Sequence, residues 1–383
     1  MRILTVCSST NVFGAEIVTL RLLEGFAENG HELVAVTTKW TDGEFSRRLR
    51  KLQIRDLRVP LGTFAKPTSM RSIAWTMGAL VGLPQLWLKW SQALRQFRPD
   101  VILFTSSRQA IWLYPWLRIY PSFLIEHAKI QTSISILRMY GALSRRLASF
   151  VAVSEFIGNH LLAMGIPQEK VHVIRNGIFS ADERQRILSE VATKIRRSGD
   201  LLSLGIVGRV ALDKGHRILF DAVHTLKRSG LNVTLNIFGD GHPDVVTSLK
   251  GYASRLNIEG ACQWHGYHSN LSEIYLNFDV CVVPSLCDEA FGMVAVEAAA
   301  YGVPVIASKR GGLPEIVVDG KTGLLIDPED PHDLAQKIKF LITTPERASS
   351  MGREGQRRIF GGFTQEQMTS GYEDFFRRFV AAQ

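Results

Sequence analysis

The chain has 383 residues, 46% of them hydrophobic and 21% charged, which is ordinary globular composition and argues against disorder. That length points to two domains of similar size, each long enough to bury its own core. The net charge of +9 is unevenly placed: residues 1–178 hold 22 Lys+Arg against 11 Asp+Glu, or +11, and residues 179–383 hold 23 against 25, or −2. A basic half of this kind faces either solvent or an anionic surface or polymer, and charge alone does not separate them. Cys7, Cys262, Cys281 and Cys287 form no CxxC pair and read as reduced thiols rather than a disulfide frame or zinc site.

The opening run from Met1 to Thr10 is too short and polar for a secretory signal and reads as a first strand, which favours a cytoplasmic protein. Short β-branched runs then alternate with amphipathic stretches, the pattern of βαβ units and a parallel sheet. In chain order the expected strands are Ile3–Val6, Leu33–Thr37, Val101–Phe104, Phe123–Glu126, Phe150–Val153, Leu202–Val207, Val233–Phe238, Val280–Val283, Val303–Ile306 and Gly323–Ile326. Helices fit at Glu16–Glu28, Ser91–Phe97, Glu155–Met164, His216–Ser229, Ser272–Phe278 and Gly292–Tyr301. Ile73–Leu88 is the most membrane-like segment, yet it is shorter than a span and carries Pro84 and Gln85. A polar, charged run from Asn176–Ile178 to Asp200 marks the expected junction between domains 1–178 and 179–360, with a terminal helix over 361–383 expected to pack back on the first domain. The fold class is α/β: two Rossmann-like doubly wound domains facing across a cleft, with ligands outside the carboxyl ends of the strands.

The segment Glu289 to Pro304 carries the most chemistry. A strand ends at Val283-Pro284, a loop follows, and Gly292 opens an apolar helix ending at Gly302. Free amides at such a helix start attract a diphosphate. Glu289 precedes the helix and Glu297 lies inside it; a carboxylate in so apolar a run needs hydrogen-bond donors, which sugar hydroxyls supply. Arg209 and Lys214, between a strand and the next helix, suit charge-assisted neutralisation of a diphosphate. A solvated Glu289, a Glu297 bonded to neighbouring backbone and an ordinary basic loop are the plain structural alternatives.

Glu289-Ala290-Phe291-Gly292 followed by Glu297 resembles the ExFGxxxxE signature of retaining glycosyltransferase family 4, whose fold is the double-Rossmann GT-B arrangement. Gly208-Arg209 with Lys214-Gly215, Phe238–Gly241, His265-Gly266, Pro284-Ser285, Gly311–Glu315, Gly14–Glu16, Val153-Ser154 and Val173–Ile178 follow in that family's order. The resemblance implies transfer of a hexose from a nucleotide diphosphate, UDP favoured and UDP-glucose the best guess, to a glycan or lipid-linked glycan in polysaccharide biosynthesis, with retention and without metal. No Asp-x-Asp occurs. It implies His127, Glu289, Arg209 and Lys214 as catalytic groups. It further implies donor contacts from Gly14, Gly239, Gly266, Phe291, Gly292, Met293, Val294 and Glu297: Glu297 on the ribose, Glu289 on the sugar, and residues 291–294 on sugar and distal phosphate. Gly14, in the loop after the first strand, would admit phosphate from across the cleft, although Phe13 stands where the family often has a second glycine. Glu126, beside His127, is a weaker candidate.

Arg71, Trp75, Trp87, Lys89, Trp90, Arg95 and Arg98 crowd one stretch of the basic half. They fit either an aromatic-basic face on an anionic membrane or a helix covering the first sheet. A sugar-nucleotide epimerase of the same fold and a non-catalytic sugar-binding protein are the rival readings; no strand is followed by GxGxxG, which counts against a nicotinamide dehydrogenase.

Overall fold

The computed structural model describes residues 1–7, 12–40, 43–61, 77–193 and 202–381. The chain divides into two compact units, Met1–Ile178 with Gln365–Gln383, and Phe179–Thr364.

The first unit is built on a seven-stranded parallel sheet of order β3-β2-β1-β4-β5-β6-β7. Its strands are β1 (Arg2–Val6), β2 (Glu32–Thr38), β3 (Arg55–Val59), β4 (Val101–Phe104), β5 (Ser122–Glu126), β6 (Ser149–Ala152) and β7 (Val171–Val173). β1, β4, β5 and β6 are buried along almost their whole length, as strands covered on both faces must be. The closing helix Gln365–Val380 returns to this unit and packs on the first helix, Gly14–Glu28. His31 Nε2 meets Glu373 Oε1 at 2.8 Å, and Phe375 packs edge-on and Phe376 tilted against Phe123 of β5.

The second unit has a six-stranded parallel sheet, order β10-β9-β8-β11-β12-β13. These are β8 (Leu202–Val207), β9 (Val233–Phe238), β10 (Cys262–Gly266), β11 (Val280–Val283), β12 (Val305–Ser308) and β13 (Gly323–Ile326). Helices His216–Arg228 and Pro331–Thr343 lay Leu219, Phe220, Val223, Leu334 and Ile338 on Leu204, Ile206, Leu235 and Ile237. Each fully buried large apolar side chain there contributes about 1.5–3 kcal/mol against exposure. β8 has β9 on one side and β11 on the other, so connections leave in opposite directions at this point. The loops after β8 and β11 therefore part at the carboxyl edge and leave room for a ligand.

Three differences from the sequence reading have physical causes. β3, β7 and β10 were not expected, and each is an edge strand: β3 carries Arg55, Asp56 and Arg58, and half-exposed β10 carries Gln263 and His265. The polar run after Ile178 holds a helix, Ala181–Ala192, nucleated by a reciprocal cap: the Ser180 hydroxyl accepts from the Glu183 amide while the Glu183 carboxylate accepts from the Ser180 amide. The aromatic-basic stretch sits on the helix Leu83–Phe97, where Trp90 is fully buried with Leu86, Leu94 and Phe97, and Trp87 Nε1 donates to the Trp112 carbonyl at 3.2 Å. Arg71, Trp75 and the residues 194–201 at the end of the polar run lie outside the described residues.

Candidate active site

After β8 the chain turns through Gly208, Arg209 and a single 3₁₀ turn, Leu212–Lys214, before the helix His216–Arg228. Gly215 closes that turn at φ 73°, and a Cβ there would lie 1.8 Å from the Pro284 carbonyl oxygen, so this loop is wedged against the end of β11. The Asp213 carbonyl accepts from the amides of Leu286 and Cys287 at 2.9 and 3.3 Å. The two loops that flank the divergence of the sheet are thereby tied together.

This tie brings Lys214 to Glu289. Lys214 Nζ donates to Glu289 Oε1 at 2.6 Å, and the Ser285 hydroxyl donates to the same oxygen at 2.7 Å. Ser285 is buried, whereas the Lys214 and Glu289 side chains keep about a quarter and a fifth of their surface, 25% and 21%. Lys214 and Ser285 thus both donate to the same carboxylate oxygen. Arg209 is set differently: it pairs with Asp213 at 3.2 Å but remains 67% exposed, so its guanidinium is free to swing to an anion.

The Glu289 backbone is held as firmly as its side chain. The Gly312 amide donates to the Glu289 carbonyl at 2.7 Å, and Gly311, at φ 58°, lies so near that a Cβ would fall 2.0 Å from that oxygen. A Gly311→Ala variant must move the backbone or the loop. It is expected to lower turnover of a nucleotide-sugar donor at least tenfold with a smaller change in melting temperature, read by steady-state kinetics and a thermal melt.

Gly292 takes φ 105° and starts the helix Met293–Ala300 with no side-chain cap. The first helical bonds run from Ala295 and Val296 to the Gly292 carbonyl, so the amides of Met293 and Val294 precede the ladder. Glu297 follows one turn later and its Oε2 accepts from the Tyr275 hydroxyl at 2.7 Å. Burial among apolar neighbours pushes the Glu297 carboxyl up to about 7, the Tyr275 bond pulling the other way; the side chain nonetheless keeps some solvent access. Tyr275 itself is fully buried and held well above the usual phenol range.

Gly239 directly follows β9 and Gly266 ends β10. The Gly239 amide donates to the Gly266 carbonyl at 2.7 Å, and a Cβ on Gly239 would stand 1.9 Å from the Gly208 carbonyl oxygen. Their evident role is to let three loop backbones close on one another. Beside them His265 stacks on Phe238 at 4.2 Å and bonds Asn236.

In the first unit His127 directly follows β5. Both ring nitrogens are buried without a hydrogen-bond partner, and desolvation holds the imidazole neutral, its pKa lowered to about 4. Glu126 lies buried on β5 and accepts from the Tyr140 hydroxyl at 2.5 Å, with its carboxyl raised to about 8 by burial. Gly14 is not in a loop as read from the sequence: it is the first residue of the helix Gly14–Glu28, whose Glu16 carboxylate accepts from the Phe13 amide at 3.0 Å. A local anion thus already serves that helix start.

Of the predicted residues, the second unit brings Lys214 and Glu289 into contact and sets Phe291, Gly292, Met293, Val294 and Glu297 in continuous chain after them. Ser285 and Tyr275 were not assigned roles. Ser285 belongs to the Pro284-Ser285 pair, but Tyr275 reaches Glu297 from an element 22 residues upstream, which spacing does not reveal. Among the described residues no group of three or more His, Cys, Asp or Glu could hold a metal ion.

Residues 12–180 match the model of glycosyltransferase family 4, and residues 192–358 match that of glycosyl transferases group 1. The chain belongs to the family 4 glycosyltransferases. The D-inositol 3-phosphate glycosyltransferase of Segniliparus rotundus is 34% identical over 172 residues, which is 44% of this chain and 38% of that protein. This chain therefore matches less than half of that family member. Glycogen synthase of Mycobacterium tuberculosis is 28% identical over 317 residues, 76% of this chain and 72% of that one. Among solved structures, Anabaena HepE in complex with UDP superposes with a TM-score of 0.81 at 20% identity, covering 99% of this chain and 100% of that one. The same protein in complex with UDP-glucose gives 0.77 at 21%, covering both chains fully. At such identity these likenesses speak for the fold, which is GT-B.

Proposed function

We propose that this protein is a retaining, metal-independent hexosyltransferase. In this reading it moves glucose or a close relative from a UDP donor to a glycan or lipid-linked glycan in polysaccharide biosynthesis. One observation carries the reading: Lys214, Ser285 and Glu289 form a bonded cluster at the divergence of the second sheet, directly before an uncapped helix start and Glu297. The amides of Met293 and Val294 take the distal phosphate, and Phe291 and Gly292 line the sugar. Arg209 and Lys214 stabilise the diphosphate as it departs, which is where charge builds. Glu297 accepts from the ribose hydroxyls and Glu289 Oε2 from the donor sugar. In the first unit the two unpartnered nitrogens of neutral His127 favour a sugar hydroxyl as their partner.

In the reaction an acceptor hydroxyl oxygen bonds the anomeric carbon on the face the diphosphate leaves. The carbon–oxygen bond to phosphate breaks, and the acceptor proton passes to a phosphate oxygen, leaving glycoside and UDP. HepE, whose fold this chain shares, is described in complex with UDP and UDP-glucose, which supports the choice of donor. Turnover of UDP-glucose in excess EDTA is expected to stay within about twofold of the untreated rate, and proton NMR of the product to show the donor's anomeric configuration. Strict dependence on added metal, or an inverted product, would sink the corresponding part of the proposal.

A further inference from the structure

Residues 77–81 are helical and run through a turn at Gly82 into the helix Leu83–Phe97. The Gly82 amide donates to the Gly78 carbonyl and the Leu86 amide to the Gly82 carbonyl, so the two pieces keep one helical course, apolar on two opposite faces. At 100° per residue, Ala79, Leu86, Trp90, Ala93 and Phe97 cluster on the side that covers the first sheet, and all five are buried. Met77, Leu80, Val81, Pro84 and Leu88 fall within an arc of about 100° on the other side. That second stripe is open: Met77 is 56% exposed, Leu80 43%, Val81 79% and Leu88 57%, and Pro84 is exposed too. Exposed aliphatic side chains placed singly need no explanation, but five on one helix face form a patch that asks for a partner. At the stripe's edge Lys39 Nζ donates to Gln85 at 2.8 Å and lies over the ring of Trp40, itself 54% exposed.

Charge names the partner. From Leu57 to Pro99 the chain has no Asp or Glu, while Arg58, Lys66, Arg71, Lys89, Arg95 and Arg98 give that stretch +6 within a half of net +11. Arg95, 18 residues or five turns after Met77, continues the exposed face. An apolar stripe without acidic residues, continued and flanked by cations, matches a surface that is anionic outside and hydrocarbon beneath. A second copy of this half would set like charges against each other. Among the described residues no helix is long and apolar enough to cross a membrane, so the stripe would lie along the interface.

We infer that the face Met77, Leu80, Val81, Pro84 and Leu88 docks on an anionic lipid surface. This differs from an aromatic-basic face: the tryptophans of this helix turn inward or bond backbone, and the aliphatic side meets the lipid. The inference goes beyond the proposed reaction and does not depend on it, because its test reads binding rather than turnover.

The test is flotation of the full chain with vesicles of phosphatidylcholine alone or mixed equally with phosphatidylglycerol, at low and high salt. Wild type is expected to float with the mixed vesicles at low salt and mostly to stay behind with neutral ones or at high salt. The double variant Val81→Asp, Leu88→Asp is expected to float at least tenfold less while melting within a few degrees of wild type, since both positions are exposed. Absence of wild-type flotation overturns the inference, as does equal flotation of the double variant. Sedimentation velocity guards the alternative: a wild-type dimer that the double variant converts to monomer assigns the face to a second copy and overturns the lipid.

Discussion

A Glu289→Ala variant is expected to lose transferase activity by about two to three orders of magnitude, the range seen when a preorganised polar group at a reacting centre is removed. Its fold should survive, because Glu289 sits on a loop with its side chain one-fifth exposed, and partly exposed ion pairs add little stability. The mechanism of the loss is specific. Lys214 and Glu289 are assigned to different parts of the donor, yet here they bond each other at 2.6 Å. Each neutralises and orients the other, and a diphosphate arriving at Lys214 must share that ammonium with the carboxylate. Lys214→Ala should therefore cost nearly as much as Glu289→Ala, and the double variant little more than either, since groups acting as a unit are not additive. Donor kcat/KM across the four-membered cycle measures this. Multiplicative losses would mean that the pair acts independently, and full activity in either single variant would remove that residue from the site.

Ser285 offers a milder check on the same geometry. Its hydroxyl shares Oε1 with Lys214, so it positions Glu289 without touching the donor in the proposed arrangement. The neighbouring dipeptide Pro284-Ser285 was visible in the sequence only as one of several weak family markers. Its partner was not, because the contact closes across a loop rather than along an element. The same limit applies to Tyr275. Its position inside an expected helix, Ser272–Phe278, reads as ordinary core, and only the packing of that helix on Met293–Ala300 turns its hydroxyl into the donor for Glu297.

What was legible followed burial. The ten expected strands were short, nearly unbroken apolar runs, and each has its counterpart in one of the two sheets. The three missed strands lie at sheet edges, where one side of the ladder is open and polar residues interrupt the run. Among helices, Gly292–Tyr301 was readable from its flanking glycines and apolar interior. Ala181–Ala192 buries only Ile187 and is signalled by its cap, Ser180 with Glu183, whereas Pro331–Thr343 carries both a cap at Asp330 and buried Leu334, Ile338 and Leu341 at i, i+4 and i+7. Gly14 shows the opposite failure. Family order drew attention to it as a loop glycine, but its own helix begins there, with Glu16 at hand to cap it.

The donor should bind this protein in a pH-dependent way, with the inflection set by Glu297. Its carboxyl is raised to about 7 by burial, and the Tyr275 hydroxyl stabilises the anion and so limits that rise. A carboxylate accepts from ribose hydroxyls better than a carboxylic acid does, so KM for the donor is expected to climb as pH falls through about 7. Tyr275→Phe removes the stabilising donor and should move this inflection upward by about one pH unit, the equivalent of one charge-assisted hydrogen bond. Stability has the opposite sign. A carboxyl raised in the folded state holds its proton there after the unfolded chain has released it, so its stabilising contribution is complete below the unfolded value and fades as pH rises through about 7. Glu126, raised to about 8, adds in the same direction, whereas His127 and His216, both lowered to about 4, act only on the acid side. Between pH 6.5 and 8.5 the ligand-free melting temperature should therefore fall while the shift produced by a UDP-sugar grows, because ribose hydroxyls solvate the charge that burial leaves bare. A ligand-induced shift that shrinks over that window, or a Tyr275→Phe profile that moves to lower pH, would separate Glu297 from the donor.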